Sequence, residues 1–317
     1  PYSKGVSTYI RSIIMFNNIL KYTIQENDKT VKNILTEKLY FSKRLSKKLE
    51  LSGNILLNGR PVRLNKSVFE CDELSVDFDE EEDEYDAVDI PIDIIYEDDD
   101  LLVVNKQPYI VVHPTRSHQN NTVANGVAYY FKKNNINRKV RFVNRLDMNT
   151  SGIVIIAKNP YAHNCLANQM KLNSVEKIYY AIVKGLLEAD EGTIDQPILR
   201  LNPDDIIRIV HQSGKECITR YKAEKRYNNM TLVKLKLITG RTHQIRVHMK
   251  HIGHPIVGDT LYGTGSDLIE RQALHCCEMK FKQPVTNEDI SIKCPMPDDM
   301  KNLLEESFQG KGIHLQC

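Results

Sequence analysis

The sequence contains no apolar run that approaches the roughly 18 residues needed to cross a bilayer, so it predicts no transmembrane helix. The N-terminal stretch PYSKGVSTYIRSIIMF has no long apolar core, so it does not predict a signal peptide. Cysteine is sparse as well: the seven residues are scattered, their number is odd, and no CxxC motif occurs. This pattern argues against a disulfide framework and a thiolate zinc site, and it favours a reducing cytoplasm.

Charge is distributed unevenly along an otherwise ordinary composition. The 317 residues, with 41% hydrophobic and 26% charged side chains, are typical of a soluble globular protein with two domains. Residues 29–66 carry ten Lys or Arg against two acids, residues 70–100 carry seventeen acids and no base, and residues 101–317 carry thirty bases against twenty acids. Two basic bodies joined by an acidic connector suggest a polyanionic partner. The alternative is that the charge runs are only solvated surface.

The N-terminal quarter of the chain predicts a small unit of strands and helices. Residues 1–28 alternate loosely around Asn17-Asn18, and we interpret them as a β-hairpin-like extension. The apolar residues that follow have helical spacing, and Ser42 is a candidate N-cap for a second helix over residues 43–51. Short strands around the turn Asn58-Gly59 complete the unit.

The second of these helices presents four basic side chains on one face: Lys43, Arg44, Lys47 and Lys48. The string KTVKNILTEKLYFSKRLSKKLELSGNILLNGRPVRLNKSVFECDELSV resembles a small domain first seen in a small-subunit ribosomal protein and often fused to RNA-modifying enzymes. This resemblance implies that residues 29–78 form a basic RNA-binding domain that grips duplex or stem-loop RNA through the second helix. An ordinary helical-hairpin surface is the alternative.

Residues 79–90 contain eight acids and no base and predict a linker, because like charges repel and cannot form a core. Residues 91–317 predict a larger domain. Strands are expected at 92–96, 101–106, 153–157, 177–184, 218–227, 230–238 and 274–281, and helices at 122–131, 160–172, 242–252 and 297–307. Because strands outnumber helices and pair locally, we expect an α+β fold with a mixed, mainly antiparallel central sheet and flanking helices.

The stretch RFVNRLDMNTSG at residues 141–152 is the strongest candidate for chemistry. It places Asp147 two positions after Arg145, directly ahead of a small-residue turn and the apolar run 153–157. A strand that must be buried would hold this carboxylate rigidly at the rim of the core. A structural salt bridge with Arg145 or Arg141 is the alternative.

Four histidines within residues 243–254 have spacings that could place metal ligands on one face of a helix. However, Arg246 lies among them, no cysteine is nearby, and Gly253 breaks the helix. We therefore predict no metal site and expect these histidines to be solvated or to face RNA. They are His243, His248, His251 and His254.

Three segments, in this order, resemble the RluA family of RNA pseudouridine synthases: RLDMNTSGIVIIAK, KIYYAIVKG and ITGRTHQIRVHMKHIGHPIVGDTLYG. The resemblance spans about residues 90–285, and the combination of RLDxxTSG with GRTHQIRxH and GHPIxGDxxYG is highly specific. It implies the pseudouridine synthase fold and an enzyme that detaches uracil from its ribose, rotates it and rejoins it through carbon. The family needs neither a metal nor an organic cofactor, so we expect none.

The resemblance also implies two catalytic residues. Asp147 matches the family's catalytic Asp, and such a carboxylate can serve as a nucleophile or as a charge stabiliser. Arg246 matches the Arg that pairs with this carboxylate and favours its ionised form. Arg241 lies near the start of the same helix and is better placed for a phosphate, although the two arginine roles could be exchanged. Asp259 is a minor candidate for a second catalytic acid.

Three more residues are assigned to substrate binding by the resemblance. Tyr179 matches a pocket Tyr whose ring stacks on the flipped-out base, whereas Tyr180 points to the opposite face of its strand. Leu274 matches the apolar floor of the pocket, and Arg145 matches the residue that fills the space vacated by the uridine. Ordinary core positions for Tyr179 and Leu274, and a phosphate contact for Arg145, are the alternatives. Many family members have His where this chain has Asn144, and this departure argues against a stacking or proton role there.

The sequence therefore predicts a cytoplasmic, cofactor-free, monomeric enzyme that converts uridine to pseudouridine in structured RNA. The added basic N-terminal domain favours large-subunit ribosomal RNA over transfer RNA as the substrate. A non-catalytic RNA-binding or RNA-folding factor with the same fold is one alternative, against which the intact Asp147 argues. A nucleoside hydrolase that uses the same carboxylate is another.

Overall fold

The structure, a computed structural model, describes residues 13–16, 18–25, 27, 29–78, 84–202 and 205–308. The beginning of the predicted hairpin-like extension, residues 79–83 of the predicted acidic linker and the C-terminal residues after 308 lie outside this described part. Within it, no helix combines the length and the apolar character that a membrane span requires.

The described helices are α1 (Val31–Asn33, continued by a π-helical segment, Ile34–Lys38), α2 (Lys43–Leu51), α3 (Val123–Lys133), α4 (Pro160–Lys171), α5 (Gln244–His251) and α6 (Asp298–Phe308). The described strands are β1 (Ile13–Phe16), β2 (Ile19–Thr23), β3 (Lys29–Thr30), β4 (Ile55–Leu57), β5 (Arg60–Pro61), β6 (Ser67–Val68), β7 (Glu73–Asp77), β8 (Asp93–Glu97), β9 (Leu101–Lys106), β10 (Arg141–Phe142), β11 (Ser151–Ala157), β12 (Glu176–Lys184), β13 (Glu191–Asp195), β14 (Ile198–Leu199), β15 (Ile209–Val210), β16 (Ile218–Arg226), β17 (Met230–Leu237), β18 (Leu274–Lys282) and β19 (Asp289–Lys293).

A large sheet forms the body of the C-terminal part, with the strand order β13-β16-β17-β12-β18-β11-β9-β8. Strand β10 adds to β11, and β19 adds to β18. Adjacent strands of this sheet are antiparallel, except for β11 and β18, which are parallel to each other. The expected α+β class with a mixed, mainly antiparallel sheet is therefore confirmed.

The N-terminal part has its own sheet, with the order β1-β2-β7-β4-β5. The hairpin of β1 and β2, with Asn18 at a φ of 66°, pairs along β7 and so shares one sheet with residues 55–77. Helix α2 has the predicted bounds, because Ser42 accepts a hydrogen bond from the backbone N–H of Leu45 and caps it. Of the leucines in this helix, Leu49 is buried and Leu45 is partly buried.

The two parts of the chain contact each other through a small aromatic cluster. Phe41 and Phe78 belong to the N-terminal core, and the ring of Tyr161 at the start of α4 lies 6.4 Å from that of Phe41. The described part of the acidic connector, residues 84–90, also packs on the larger part, since Glu84 pairs with Lys139 at 2.9 Å.

Several short elements escape sequence-based prediction. Strands β13 and β19 have the sequences EGTID and DISIK, which contain no apolar run, and their strand character comes from pairing with β16 and β18. Helix α5 begins at Gln244 rather than at Thr242, because His243 has a left-handed backbone with a φ of 58°. Tertiary contacts, rather than local propensity, decide these elements.

Strand β11 lies inside the large sheet, between β18 and β9, and all seven of its residues are buried. Gly152 at its start pairs with Cys276 of β18 and has a φ of 113°. A Cβ at this position would overlap the Cys276 carbonyl oxygen and lie 2.7 Å from the Cys276 nitrogen. Only glycine fits this approach of two backbones, which fixes where the preceding loop, residues 143–150, meets the sheet.

We expect Gly152→Ala to lower the free energy of unfolding by about 3 kcal/mol or more, because the new methyl group overlaps backbone that cannot move independently. Urea denaturation measures this loss. Gly253→Ala is the matched control: its φ is also positive, at 85°, but nothing lies within 4 Å of the added Cβ. It should cost only about 1 kcal/mol. Equal losses in both variants would show that the close contact does not constrain the loop.

Candidate active site

One cleft collects the six residues that were predicted for catalysis and substrate binding. They are Asp147, Arg246, Tyr179, Arg145, Leu274 and Arg241. The cleft encloses about 380 Å³ of empty space and is open to solvent. Its walls come from the loop before β11, from β12, β17 and β18, and from the start of α5. Residues distant in the sequence therefore converge around one carboxylate.

Asp147 lies in the loop between β10 and β11, and its side chain is 23% exposed. The backbone N–H of Thr150 donates to the Asp147 carbonyl at 3.0 Å and closes a tight turn. Gln272 donates to the Thr150 hydroxyl at 3.2 Å, which attaches the turn to the segment before β18. The carboxylate is thus held by a folded loop at the rim of the core, as the sequence predicted.

Lys106 secures this loop from behind, which the sequence analysis missed. It ends the buried strand β9, is 1% exposed, and donates to the carbonyls of Gln107, Ile110 and Met148 at 2.8–2.9 Å. Burial lowers the pKa of Lys106 to about 7. The available signal was a lysine two positions after the apolar run LLVV, with only Asn105 between them, although a lysine at a strand end is usually solvated.

Arg271 is a second buried cation behind the same loop. Its side chain is 0% exposed and donates to the carbonyls of Asn149 and Leu274 at 3.2 and 3.3 Å. A bidentate pair with Asp299, at 2.6 and 2.9 Å, accompanies these bonds. Because Lys106 and Arg271 both bond to backbone carbonyls of the loop, they orient Asp147 without touching its carboxylate.

Arg246 connects Asp147 to a second carboxylate. Its Nη1 lies 3.4 Å from Asp147 Oδ2, while Nε and Nη2 form a bidentate pair with Asp259 at 2.7 and 2.8 Å. The Arg246 side chain is 8% exposed and Asp259 is fully buried, so their pair is removed from water, whereas Asp147 remains partly exposed. Arg246 and Asp147 are neighbours, as the sequence predicted, and Arg246 rather than Arg241 is the arginine that contacts the carboxylate.

Asp259 is fully buried and accepts four hydrogen bonds. Besides the two from Arg246, the backbone N–H groups of Leu261 and Tyr262 donate to Oδ1 at 2.9 and 3.0 Å. Burial alone would raise the pKa of Asp259, but Arg246 and these N–H groups lower it below its ordinary value. A carboxylate that is ionised, saturated and inaccessible cannot serve as a second catalytic acid, so that interpretation is not supported; Asp259 positions Arg246.

His243 reaches Asp147 from another side. Its Nε2 lies 3.8 Å from Asp147 Oδ2, and its Nδ1 lies 2.8 Å from the Tyr262 hydroxyl. That hydroxyl accepts the backbone N–H of Arg208 at 2.9 Å, which leaves its own proton for Nδ1 and places the imidazole proton on Nε2, facing Asp147. Burial lowers the pKa of His243, although the Asp147 carboxylate opposes the shift, so the ring is neutral at neutral pH.

Tyr179 and Leu274 form the apolar side of the cleft. Tyr179 is 8% exposed and Leu274 is 4% exposed. Burial raises the pKa of Tyr179 well above its usual range, so its ring is uncharged. An irregularity in the pairing of β12 with β18, between Ile178 and Tyr179, precedes this position. Both residues therefore combine a core position with a place in the cleft.

Arg145 and Arg241 stand at the open side of the cleft, and both are exposed. In the part of the chain that the structure describes, Arg145 forms no ion pair with Asp147, which argues against a purely structural salt bridge. Arg241 donates from Nε to the Glu216 carbonyl at 3.3 Å. Both side chains also line a wider groove of about 1600 Å³ that continues from the cleft past Lys171.

Asn144 turns its side chain away from the cleft and toward strand β11. Its Nδ2 donates to the Ile153 carbonyl at 3.1 Å, and its Oδ1 accepts the Ile155 N–H at 2.8 Å. The side-chain amide thus takes the place of a peptide group and extends the hydrogen bonding of β10 with β11. This position supports the sheet, in keeping with the expected loss of any stacking or proton role.

The four histidines do not behave alike. His248 is 0% exposed, with Nδ1 2.9 Å from Thr219 Oγ1 and Nε2 2.9 Å from the Gln196 carbonyl, so the expectation that it is solvated or faces RNA is wrong. His254 contacts the Lys184 carbonyl at 2.9 Å. Among the described residues no group of three or more His, Cys, Asp or Glu is arranged to hold a metal ion.

The four predicted RNA-binding side chains of α2, at positions 43, 44, 47 and 48, are all exposed. Lys43 and Lys47 line a groove of about 1200 Å³ together with Lys32 and Arg63. Glu50 lies in the same groove and pairs with Lys47 at 2.7 Å. The basic face predicted from the sequence is therefore present on the N-terminal sheet domain, and one acid partly offsets it.

Comparison with known proteins connects this geometry to a family. Residues 100–251 match the profile of RNA pseudouridylate synthase. A Bacillus subtilis (strain 168) protein described as an uncharacterized RNA pseudouridine synthase, YjbO, is 41% identical over 280 residues, which cover 87% of this chain and 98% of that protein. The ribosomal large subunit pseudouridine synthase D of Vibrio parahaemolyticus is 35% identical over 84% of this chain and 86% of its own length.

A solved structure agrees with the sequence comparison. The human RNA pseudouridylate synthase domain containing 1 protein superimposes with a TM-score of 0.55 and 28% identity, over 65% of this chain and 83% of that one. The matched profile includes the Asp147 loop, Tyr179 and Arg246, and the similarity to the two bacterial relatives extends over most of their length. The chain therefore belongs to the RNA pseudouridine synthase family.

Proposed function

We propose that this enzyme isomerises uridine in large-subunit ribosomal RNA and that Asp147 is its catalytic carboxylate. The observation that carries the proposal is the environment of Asp147, a partly exposed carboxylate paired with Arg246 at the mouth of a cleft whose other side is Tyr179 and Leu274. The cleft thus offers an apolar surface to a flat, uncharged base and a carboxylate to the reacting sugar beside it.

The reaction breaks the N1–C1′ glycosidic bond, rotates uracil and joins its C5 to C1′, while the proton on C5 is released and N1 gains one. Asp147 acts as nucleophile or as charge stabiliser for the electron-poor centre. Arg246 holds the carboxylate in place at 3.4 Å, and the Nε2–H of His243 faces it at 3.8 Å. Tyr179 stacks on the flipped-out base, Leu274 lies beneath it, and Arg145 fills the space that the base leaves in the RNA.

Ribosomal RNA is proposed because relatives such as the Vibrio protein are named for the large ribosomal subunit. Residues 29–78 are proposed to grip the RNA through the basic face of α2, with the hairpin of β1 and β2 completing their sheet. The enzyme is proposed to act as a cytoplasmic monomer without metal or organic cofactor.

Asp147→Asn should abolish pseudouridine formation while leaving RNA binding within about twofold of the wild type, because the amide keeps the size of the side chain but loses its charge. Tritium release from C5-labelled uridine in unmodified large-subunit ribosomal RNA measures pseudouridine formation, and filter binding measures RNA binding. Release of tritium by the variant above background would contradict a catalytic role for Asp147. Free uracil among the wild-type products would instead indicate a hydrolase.

Asp259→Asn should lower kcat about tenfold or more with KM within about twofold, because Arg246 loses the charge that aims it at Asp147. Thermal unfolding of the same variant tells whether the assays use folded protein. Glu97→Gln is the control, since it removes a 2.6 Å pair with the buried Lys158 at a position that does not line the cleft, although the Glu97 side chain is 27% exposed. An unchanged kcat in folded Asp259→Asn would show that Asp259 does not position Arg246.

Replacement of Lys43, Arg44, Lys47 and Lys48 by Gln should weaken RNA binding and flatten its salt dependence, because each lost phosphate contact removes about 0.9 from the slope of log K against log salt for a duplex. Binding of the ribosomal RNA transcript at several KCl concentrations measures this slope. Tritium release at saturating RNA should stay at the wild-type rate. If the slope did not change, the basic face of α2 would not be an RNA contact.

A further inference from the structure

A second cleft lies beside the active-site cleft and shares Arg241 with it. It encloses about 950 Å³ of empty space between the β14–β15 hairpin and the loop before α5. Four basic side chains line it, Arg200, Arg208, Lys215 and Arg241, and none of its described lining residues is acidic. We call this the basic cleft. The site assignments made above use only one of its residues, Arg241.

The guanidinium groups here are oriented by backbone carbonyls and not neutralised by carboxylates. Arg200 Nε donates to the Asp205 carbonyl at 2.9 Å, and Arg208 Nη1 donates to the carbonyls of Asp205 and Ile206 at 2.8 Å. Of the described acids, none lies within 4 Å of the charged atoms of these arginines or of Lys215. Arg246 and Arg271 differ, since each is occupied by a bidentate carboxylate.

The charge arrangement is a property of the fold and not of the local composition. The same segment also contains Asp205 and Glu216, but their carboxylates do not line the basic cleft. Asp205 Oδ2 accepts the backbone N–H and the side-chain amide of Asn202 at 3.0 and 2.9 Å. Glu216 lines the neighbouring wider groove. Among the described residues of this segment, the basic side chains therefore line the cleft and these two carboxylates do not.

The basic cleft is linked to the catalytic carboxylate through a short chain of contacts. The backbone N–H of Arg208 bonds to the Tyr262 hydroxyl, which bonds to His243, whose Nε2 faces Asp147. When a base is flipped into the Asp147 cleft, its sugar-phosphate backbone stays outside and must pass along the rim. Oriented guanidinium groups without carboxylate partners match the charge and geometry of a phosphate.

We propose that the basic cleft binds a backbone phosphate next to the target uridine. This inference rests on the proposed function, because it takes the occupant of the Asp147 cleft to be a nucleotide in RNA. A phosphate contact carries no base specificity, so its role is to hold the strand in register against the Asp147 cleft. The contact is the same before and during the reaction, so it contributes to RNA binding and not to the chemical step.

The test is the double variant Arg200→Gln with Lys215→Gln, compared with the double variant Lys132→Gln with Lys293→Gln. The control removes the same charge from exposed positions that line neither cleft. Binding of a fluorescein-labelled U9 oligoribonucleotide is followed by fluorescence anisotropy over a series of KCl concentrations. Loss of one phosphate contact should lower the salt slope by about 0.7 in the first variant only, because single strands contribute about 0.7 per neutralised phosphate.

Activity provides the second readout. On unmodified large-subunit ribosomal RNA, KM should rise about fivefold or more in the first variant while kcat stays within about twofold, because the contact is equal in ground and transition states. Lys215→Gln alone should show the same trend in smaller degree. Its side chain is exposed, so this variant guards against misfolding of the hairpin.

The outcomes separate the two proposals. If the salt slope for U9 fell equally in the control variant, only the overall charge of the protein would matter. If kcat fell at unchanged KM, the cleft would merely support the catalytic residues. Either result overturns the phosphate site. A wild-type protein that forms no pseudouridine in the ribosomal RNA would overturn the proposed substrate instead, and the slope for U9 would still report on the basic cleft.

Discussion

The bridge that Arg246 forms between two carboxylates is the interaction on which the active site depends. Asp259 occupies Nε and Nη2, so only Nη1 remains to face Asp147. Asp259 is itself saturated by backbone N–H groups and removed from water, which makes its position stiff. The electrostatic environment of Asp147 is therefore set by a buried turn far along the sequence and not by its own loop.

The loop of Asp147 also depends on buried basic side chains that bind backbone carbonyls. Lys106 bonds to Met148, and Arg271 bonds to Asn149, so consecutive peptide groups of the loop have side-chain donors beneath them. Backbone groups without partners inside a protein are costly, and these bonds satisfy them while they stiffen the loop. This stiffness suits the catalytic role that we propose for Asp147, because a rigid loop holds the carboxylate in one position before substrate binds.

Local pattern predicted much of the secondary structure because the relevant signals lie within a few residues. The bounds of α2 follow from Ser42 and the spacing of its leucines, and the burial of β11 follows from its unbroken apolar run. The polar strands β13 and β19 have no such signal, since they are strands only because β16 and β18 lie beside them. The burial of His248 could not be predicted locally for the same reason, because its hydrogen-bond partners come from β16 and from the loop after β13.

The sequence by itself determined the family resemblance, the α+β class and the residues of the Asp147 cleft, because short motifs carry side chains that local structure can orient. Only the tertiary structure decided which arginine contacts Asp147, that Asp259 positions this arginine, and that Lys106 is buried. It also gathered the bases of the β14–β15 hairpin beside Arg241. These features depend on charged and basic side chains that meet groups far away in the sequence, and their geometry exists only after the large sheet has brought distant loops together.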